Sequence, residues 1–513
     1  MAPRPAPRLA RAFATVGVWT MLSRVLGFVR DVAFAAVLGA GPVFDAFIVA
    51  FSLPNLFRRL FAEGAFNMAF VPMFSKKVEK GDGALPFARD AAMGLATILI
   101  VLTVIATAAM PLLVLAMASG FAGDERFDLA VLYGRIAFPY ILFISLAALL
   151  SGVLNATGRF VAAAAAPALL NVLFVAAVAL ALHSGLDVGL VLAWTVPIAG
   201  AAQLALVWWA AARAGYRLVP GRPRITPELK RLAVIAAPAA LAGGVVQVNL
   251  LVGRQVASRT EGAITWLSLA DRLYQLPLGV VGIAVGVVLL PELSRRLSDG
   301  DAAAGRRSLS RAAEFALALT VPAAVALLVV PLPLVSALFQ RGAFGPDDTA
   351  ATAVAVAIYG LGLPAFVLQK VWQPVFFARE DTRTPFRIAV AAMVVNAALA
   401  FGLMPAIGFA AAAVATTVAG WATFLLLARA ARRHGEDVRL LPDAKARIWR
   451  IVLASLAMGV VVWGANLALL PVFGTSRTLG IVALVAVGIL SYGLLGQLFG
   501  AFRLRDLVNS ARR

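Results

Sequence analysis

The sequence predicts an all-α polytopic membrane protein, with about fourteen transmembrane helices in two six-helix lobes plus two C-terminal helices. Three observations carry that prediction. Of 513 residues, 62% are hydrophobic and only 14% charged, against roughly 45–50% and 25% in soluble globular chains. The apolar residues gather in runs of about 18 or more, the length a helix needs to cross a hydrocarbon core of about 30 Å. The runs also repeat: Pro139 and Pro364, Thr157 and Thr382, and Asn171 and Asn396 each stand 225 residues apart.

Splitting the apolar runs at Gly, Pro and polar gaps places spans at 13–38, 43–62, 92–117, 129–154, 161–182, 188–212, 233–256, 263–293, 311–332, 349–378, 388–404, 408–428, 449–470 and 478–500. The first follows a basic start, MAPRPAPRLARAF, that looks like the head of a signal peptide. Its apolar run contains Arg24 and Arg30 and continues to Leu38, so it reads as a retained span. An even number of spans puts both termini on one side. Loops on that side hold 33 Lys and Arg, whereas the other side has only five, Arg126, Arg254, Arg259, Arg341 and Arg477. By the positive-inside rule the termini are cytoplasmic. The net charge of +20 therefore reads as orientation in a bilayer, with no nucleic-acid partner implied.

The repeat divides the chain. Residues 1–212 form an N-terminal lobe of spans 1–6, 213–232 a cytoplasmic linker and 233–432 a C-terminal lobe of spans 7–12; 433–513 hold spans 13 and 14 and a cytoplasmic tail. Shorter echoes support the duplication: Leu53-Pro54 recurs at Leu276-Pro277, and PMFSKK at 72–77 recurs as PELSRR at 291–296. Six spans per copy bring both copies in from the same side, so their pseudo-twofold axis runs along the membrane normal. In transporters built this way the substrate path lies between the halves.

Whole classes of chemistry are missing. There is no cysteine and only two histidines, His183 and His434, which removes disulfides, thiolate sites and histidine metal clusters. No phosphate-binding loop, nucleophile elbow, HExxH motif or paired intramembrane carboxylates occur. The sequence thus implies no catalytic residue, no metal and no cofactor, and a transporter in place of an enzyme.

What remains is intramembrane charge. Span 1 contains Ser23-Arg24-Val25-Leu26-Gly27-Phe28-Val29-Arg30-Asp31. A midplane arginine costs about 2.5–3.5 kcal/mol on insertion scales, and such residues are functional by default. Ser23 and Arg30, and Arg24 and Asp31, are seven residues apart and share helix faces, whereas Arg24 and Arg30 diverge unless Gly27 bends the helix. Asp31 is therefore a candidate partner for either arginine. In span 2, Arg59 and Glu63 are spaced to pair at the cytoplasmic end, and Arg58, about 100° around the helix, either faces the lobe interface or snorkels. Span 8 carries Arg272 about ten residues inside. Lys370 and Arg135 fit helix-end or interhelical contacts. Several arginines with few acids suit an anion, because guanidinium forms bidentate bonds to phosphate oxygens and keeps its charge at any physiological pH. A pyrophosphate would satisfy several at once.

The runs Ser23–Asp31 (SRVLGFVRD), Gly39-Ala40-Gly41, Asp45-Ala46-Phe47, Leu53–Phe66 (LPNLFRRLFAEGAF), Ala270–Leu273 with Pro277–Val280, and Leu338–Phe344 (LFQRGAF) resemble the MurJ/MviN family. These are the lipid II flippases of bacterial peptidoglycan synthesis, within the multidrug/oligosaccharidyl-lipid/polysaccharide exporter superfamily. The resemblance spans the whole chain. It implies two six-helix lobes in a V, residence in the bacterial cytoplasmic (inner) membrane, and lipid II, the undecaprenyl-pyrophosphate disaccharide-pentapeptide, as the partner, with cell-wall synthesis proteins as possible others. It implies that Arg24, Arg30, Arg58 and Arg272, with Ser23 and Asp45, serve the substrate site, that Glu63 with Arg59 and Gly27 serves gating, and that spans 13 and 14 form a groove for the polyprenyl tail. Some family members carry a sodium site with aspartates in spans 7 and 11. Here Asn249, Asn396 and Thr416, the candidates for a cation site, offer only neutral oxygens, which argues against sodium; the expected coupling is to the membrane potential or to a monovalent cation.

Two other readings compete: a flippase for another polyprenyl-pyrophosphate-linked glycan, which needs the same cationic cavity, and a drug/cation antiporter, which wants a lone acid in span 1, 7 or 8. The charge asymmetry makes a direct prediction. Reporter fusions after Arg222 and Arg433 are expected to be active only with a cytoplasmic reporter, and a periplasmic signal at either would reverse the orientation.

Overall fold

Prolines and glycines decide where the helices of this chain stop and bend. The computed structural model describes residues 6–59, 67–219, 221–284, 302–435 and 438–502, and among them every regular element is helical. The chain folds as two compact units, Met1–Thr265 and Trp266–Arg513.

The first unit runs α1 (Ala6–Leu38), α2 (Pro42–Arg58), α3 (Asn67–Lys80), α4 (Ala84–Ala108), α5 (Met110–Met117), α6 (Glu125–Ala137), α7 (Tyr140–Ala156), α8 (Val161–Ser184), α9 (Val188–Arg213), α10 (Pro227–Ala257) and the first turn of α11 (Ala263–Ala284). Gly39, at φ +64°, turns the chain between α1 and α2. Pro139 lacks the N–H that would join α6 to α7, and the pair bends by 41°. Asp124, Asp187 and Thr226 each accept a backbone N–H at the start of a helix, capping α6, α9 and α10.

Packing follows size. α1 lies on α8, α2 on α6, and α9 on both α7 and α8. Where α1, α2 and α8 converge, Phe34 sits edge-on to Phe44, Phe47 and Phe174 at centroid distances of 5.9, 5.8 and 5.5 Å, a favoured aromatic geometry. Where α6 meets α9, Gly189 admits the ring of Tyr133; a Cβ there would stand 2.1 Å from the tyrosine oxygen.

Two features depart from the spans read in the sequence. The stretch after span 2, counted as loop, contains α3, whose Phe70 and Phe74 are fully buried and stack with each other, Phe70 also on Phe87. Their four-residue spacing puts both rings on one helix face. The expected linker at 213–232 is folded into the first unit: Tyr216 packs on Phe74, Lys77 pairs with Glu228 at 2.8 Å, and α10 rests on α3, α4 and α5. The first unit therefore continues through α10.

The second unit contains the rest of α11 followed by α12 (Ala302–Val329), α13 (Pro331–Phe339), α14 (Pro346–Phe377), α15 (Arg383–Ile407), α16 (Ala410–Ala431), α17 (Pro442–Ala468), α18 (Leu470–Thr475) and α19 (Arg477–Leu498). α16 lies on α14 and α15, the arrangement α9 has with α7 and α8 about 225 residues earlier. The last two long helices are tied on by side chains: Arg447 of α17 forms a bidentate pair with Glu314 of α12, and Tyr492 of α19 donates to the Ala318 carbonyl at 2.7 Å.

As far as they lie within the described residues, the fourteen expected spans fall on helices or broken helix pairs. Among the described residues nine helices are long and apolar enough to cross a membrane, ten with the bent α6–α7 pair. The other four spans fall on α1, α2, α10 and α11, the helices that carry Arg24, Arg30, Asp45, Arg58, Asn249 and Arg272.

The Gly189 contact yields a stability prediction. Gly189→Ala is expected to destabilise by about 1–3 kcal/mol, the range for overpacking. Gly253→Ala, whose added Cβ meets nothing within 4 Å, is expected to be neutral or mildly stabilising. Thermal melting of both purified variants in detergent checks the contrast.

Candidate functional site

On α1 the two arginines part as their six-residue spacing requires. Arg24 is exposed and Arg30 is buried, at 8% exposure, with the helix unbroken through Gly27. Asp31 resolves to Arg30: Nε and Nη2 both donate to its Oδ1, at 3.0 and 2.7 Å. Arg30 Nη1 donates to Asn171 Oδ1 of α8 at 2.9 Å, and the guanidinium stands 5.7 and 5.6 Å from the ring centres of Phe34 and Phe174. A buried charge needs this enclosure, because desolvating it unpaired costs several kcal/mol.

Asn171 is the element the sequence did not announce as chemical. Its Nδ2 donates to the Ser23 carbonyl at 2.9 Å, so one amide spans two points on α1 seven residues apart. Gly27 lies between them, where a Cβ would come 3.4 Å from Asn171 Nδ2. Gly27, expected to serve gating, therefore packs directly against the Asn171 amide.

Asp45 is placed elsewhere. It sits in the first turn of α2, thirteen residues or about 20 Å along the helix from Arg58, and is fully buried. Its Oδ2 accepts the Gly262 N–H at 2.8 Å; its Oδ1 accepts the Thr265 N–H at 2.9 Å and the Thr265 hydroxyl at 2.8 Å. These are the orphan donors at the start of α11, so a carboxylate on one helix caps the N-terminus of another, where the helix dipole also favours it.

Arg126 completes this end. It is 4% exposed, lies 3.7 Å from Asp45, holds Asp124 at 2.6 Å and stacks over Phe121 at 4.5 Å. Partial desolvation pushes the Asp124 carboxyl up, but hydrogen bonds from the Arg126 side chain and backbone, with its charge, outweigh it and hold the carboxyl below its usual range. Around the same turn, Ser119 donates to Gln255 and the Gly120 N–H to Ser258, and a Cβ on Gly120 would meet the Ser258–Arg259 backbone at 2.6 Å. The α5–α6 turn and the α10–α11 turn are thereby stitched together.

The remaining candidates are dispersed. Arg58 is half-buried and donates to Asn55 at 3.2 Å, one turn beyond Pro54, and Arg59 is exposed at the end of α2. Glu63 lies outside the described residues. In the second unit Arg272 is exposed beside half-buried Asp271, which accepts from Gln275; Tyr274 faces Tyr359 at 5.2 Å. Asp271 is an acid within span 8, where a drug/cation antiporter wants a lone one, but Arg272 adjoins it. Asn396 is buried on α15, the Thr416 hydroxyl of α16 bonds the Ala412 carbonyl at 2.9 Å, and the Asn249 side chain lies outside the described set.

α1 thus carries a buried, braced arginine and an exposed one, and the first turn of the neighbouring α2 carries a buried acid that caps α11. Comparison with known proteins supplies the family. The family model "Lipid II flippase MurJ" matches residues 34–486. A probable lipid II flippase of Rhizobium meliloti (strain 1021) is 49% identical over 89% of this chain and 86% of its own length, and a lipid II flippase of Burkholderia cenocepacia is 38% identical over 83% and 84%. A solved lipid II flippase in an inward closed conformation superposes with a TM-score of 0.80 at 25% identity, covering 96% of this chain and 99% of that one. An inward-facing multidrug resistance transporter shares the fold, at a TM-score of 0.68 and 13% identity over 82% and 98%. The chain therefore belongs to the MurJ family of lipid II flippases.

Proposed function

We propose that this chain moves lipid II from the cytoplasmic to the outer leaflet by alternating access, as a transporter and not an enzyme. The observation that carries the reading is the arrangement on α1: Arg30 braced by Asp31 and Asn171, with Arg24 exposed about one and two-thirds turns away. Arg24, Arg58 and Arg272 then serve as anion contacts, and Arg30 shapes the local potential. Guanidinium suits the pyrophosphate, since its fork matches phosphate oxygens and no change of pH discharges it. Two termini on one side with the basic loops support a cytoplasmic N- and C-terminus. No cofactor is needed, and the energy source is the membrane potential or a monovalent cation.

In this reading Asp45 is a latch and not a substrate contact. Its bonds to the start of α11, with Arg126 and the Gly120–Ser258 contact, hold the outer end closed, and the Arg59–Glu63 end of α2 serves the cytoplasmic side.

Complementation of a strain depleted of its lipid II flippase tests the anion contacts. Arg24→Ala and Arg272→Ala, both at exposed side chains, are expected to abolish growth, with protein level measured alongside. Arg30→Ala should also lower stability by about 3–5 kcal/mol, the range for stranding a buried partner, and Arg30→Ala with Asp31→Ala should recover stability without recovering growth. Full growth of Arg24→Ala and Arg272→Ala would sink the site.

The latch is tested through Ser23→Cys, a single thiol in a chain that has none. An impermeant thiol reagent should reach it from either face, depending on state. Asp45→Asn, which turns an acceptor toward the Gly262 N–H into a donor, and Gly120→Ala, which wedges the turns apart, should both raise labelling from outside in intact spheroplasts. Unchanged labelling in both would remove Asp45 from gating.

A further inference from the structure

α9 and α7 leave an apolar groove on the first unit, of about 520 Å³, lined by Phe143 of α7 and by Ala201, Leu204, Ala205, Trp208, Trp209 and Ala212 of α9. The α9 residues fall at 201, 204 and 205, 208 and 209, and 212, three or four apart from turn to turn, so they form one face. From Ala201 to Ala212 that face runs about 16 Å, close to half of a hydrocarbon core of about 30 Å. The groove thus spans one leaflet and ends at the membrane surface.

The surface end is charged. Arg213, the last residue of α9, stacks over the Trp209 ring at 4.0 Å, which fixes an otherwise mobile guanidinium by a cation–π contact. Arg217, Arg222 and Arg224 follow, all exposed. Tryptophan is a residue of membrane interfaces, and arginines gathered directly beyond a spanning helix attract anionic headgroups. An apolar groove one leaflet deep, with an aromatic ring at one end and a fixed positive charge over that ring, matches one kind of molecule in both of its parts.

We propose that this groove is a binding site for an anionic glycerophospholipid of the adjacent leaflet, with one acyl chain lying along α9 against Phe143 and Leu204 and the phosphate at Arg213. None of its residues belongs to the arginine and Asp45 clusters, so the site is separate from the one used for transport. Bound lipid would brace α9 against α7, the helix pair that backs α8 and hence Asn171.

Brominated lipids test this, because bromine quenches tryptophan only on contact. The full chain is reconstituted in phosphatidylcholine vesicles containing increasing fractions of either phosphatidylglycerol or phosphatidylcholine with dibrominated chains. The groove signal is the difference between the wild type, which has nine tryptophans, and the Trp208→Phe/Trp209→Phe variant. The expected result is half-maximal quenching at about a fivefold lower fraction of brominated phosphatidylglycerol than of brominated phosphatidylcholine, the preference one well-placed arginine gives at a surface. Arg213→Gln should bring the two curves together, and Ala205→Phe, which fills the groove and leaves the charges alone, should reduce quenching by both lipids. Equal curves for the two lipids in the wild type, an undiminished preference in Arg213→Gln, or full quenching in Ala205→Phe would each overturn the proposal.

Discussion

A charge taken out of water has to be met where it stands. In a chain this apolar that constraint organises the described part of the first unit. Arg30 is answered by Asp31 and Asn171, and Asp45 by the start of α11 and by Arg126, which is answered in turn by Asp124 and Phe121. Each answer comes at least partly from another helix. Apolar side chains gain little by leaving lipid for one another, so polar contacts and close packing decide which helices meet. α1 is held to α8 through one amide, and α2 to the head of α11 through one carboxylate.

Much of this was legible in the sequence. Hydropathy located the spans because a bilayer admits only helices with their backbone groups satisfied internally. The different fates of Arg24 and Arg30 followed from six residues on a helix of 3.6 per turn. Other features were out of reach for definite reasons. Asn171 is 141 residues from Arg30, and an asparagine in an apolar helix gives no hint of its partner. Asp45 reads like any acid in a first turn, and only the fold reveals the second helix start it caps. α3 was hidden because its buried Phe70 and Phe74 come from a short, mixed stretch with a lysine-rich end, which resembles a loop when averaged over the length of a span.

The cap that Asp45 places on α11 has a further consequence. Its bonds are strong because the carboxylate is wholly shielded, and they do part of the shielding, since they keep two turns of chain pressed together. Such a contact has no stable halfway point. A water molecule that enters competes for the carboxylate, weakens the bonds that excluded it and makes room for the next, because the same attraction falls severalfold as the local dielectric rises. Dry and shut, or wet and open, are each self-consistent, so this end of the protein should change state abruptly, with the wetting of a single acid acting as the trigger.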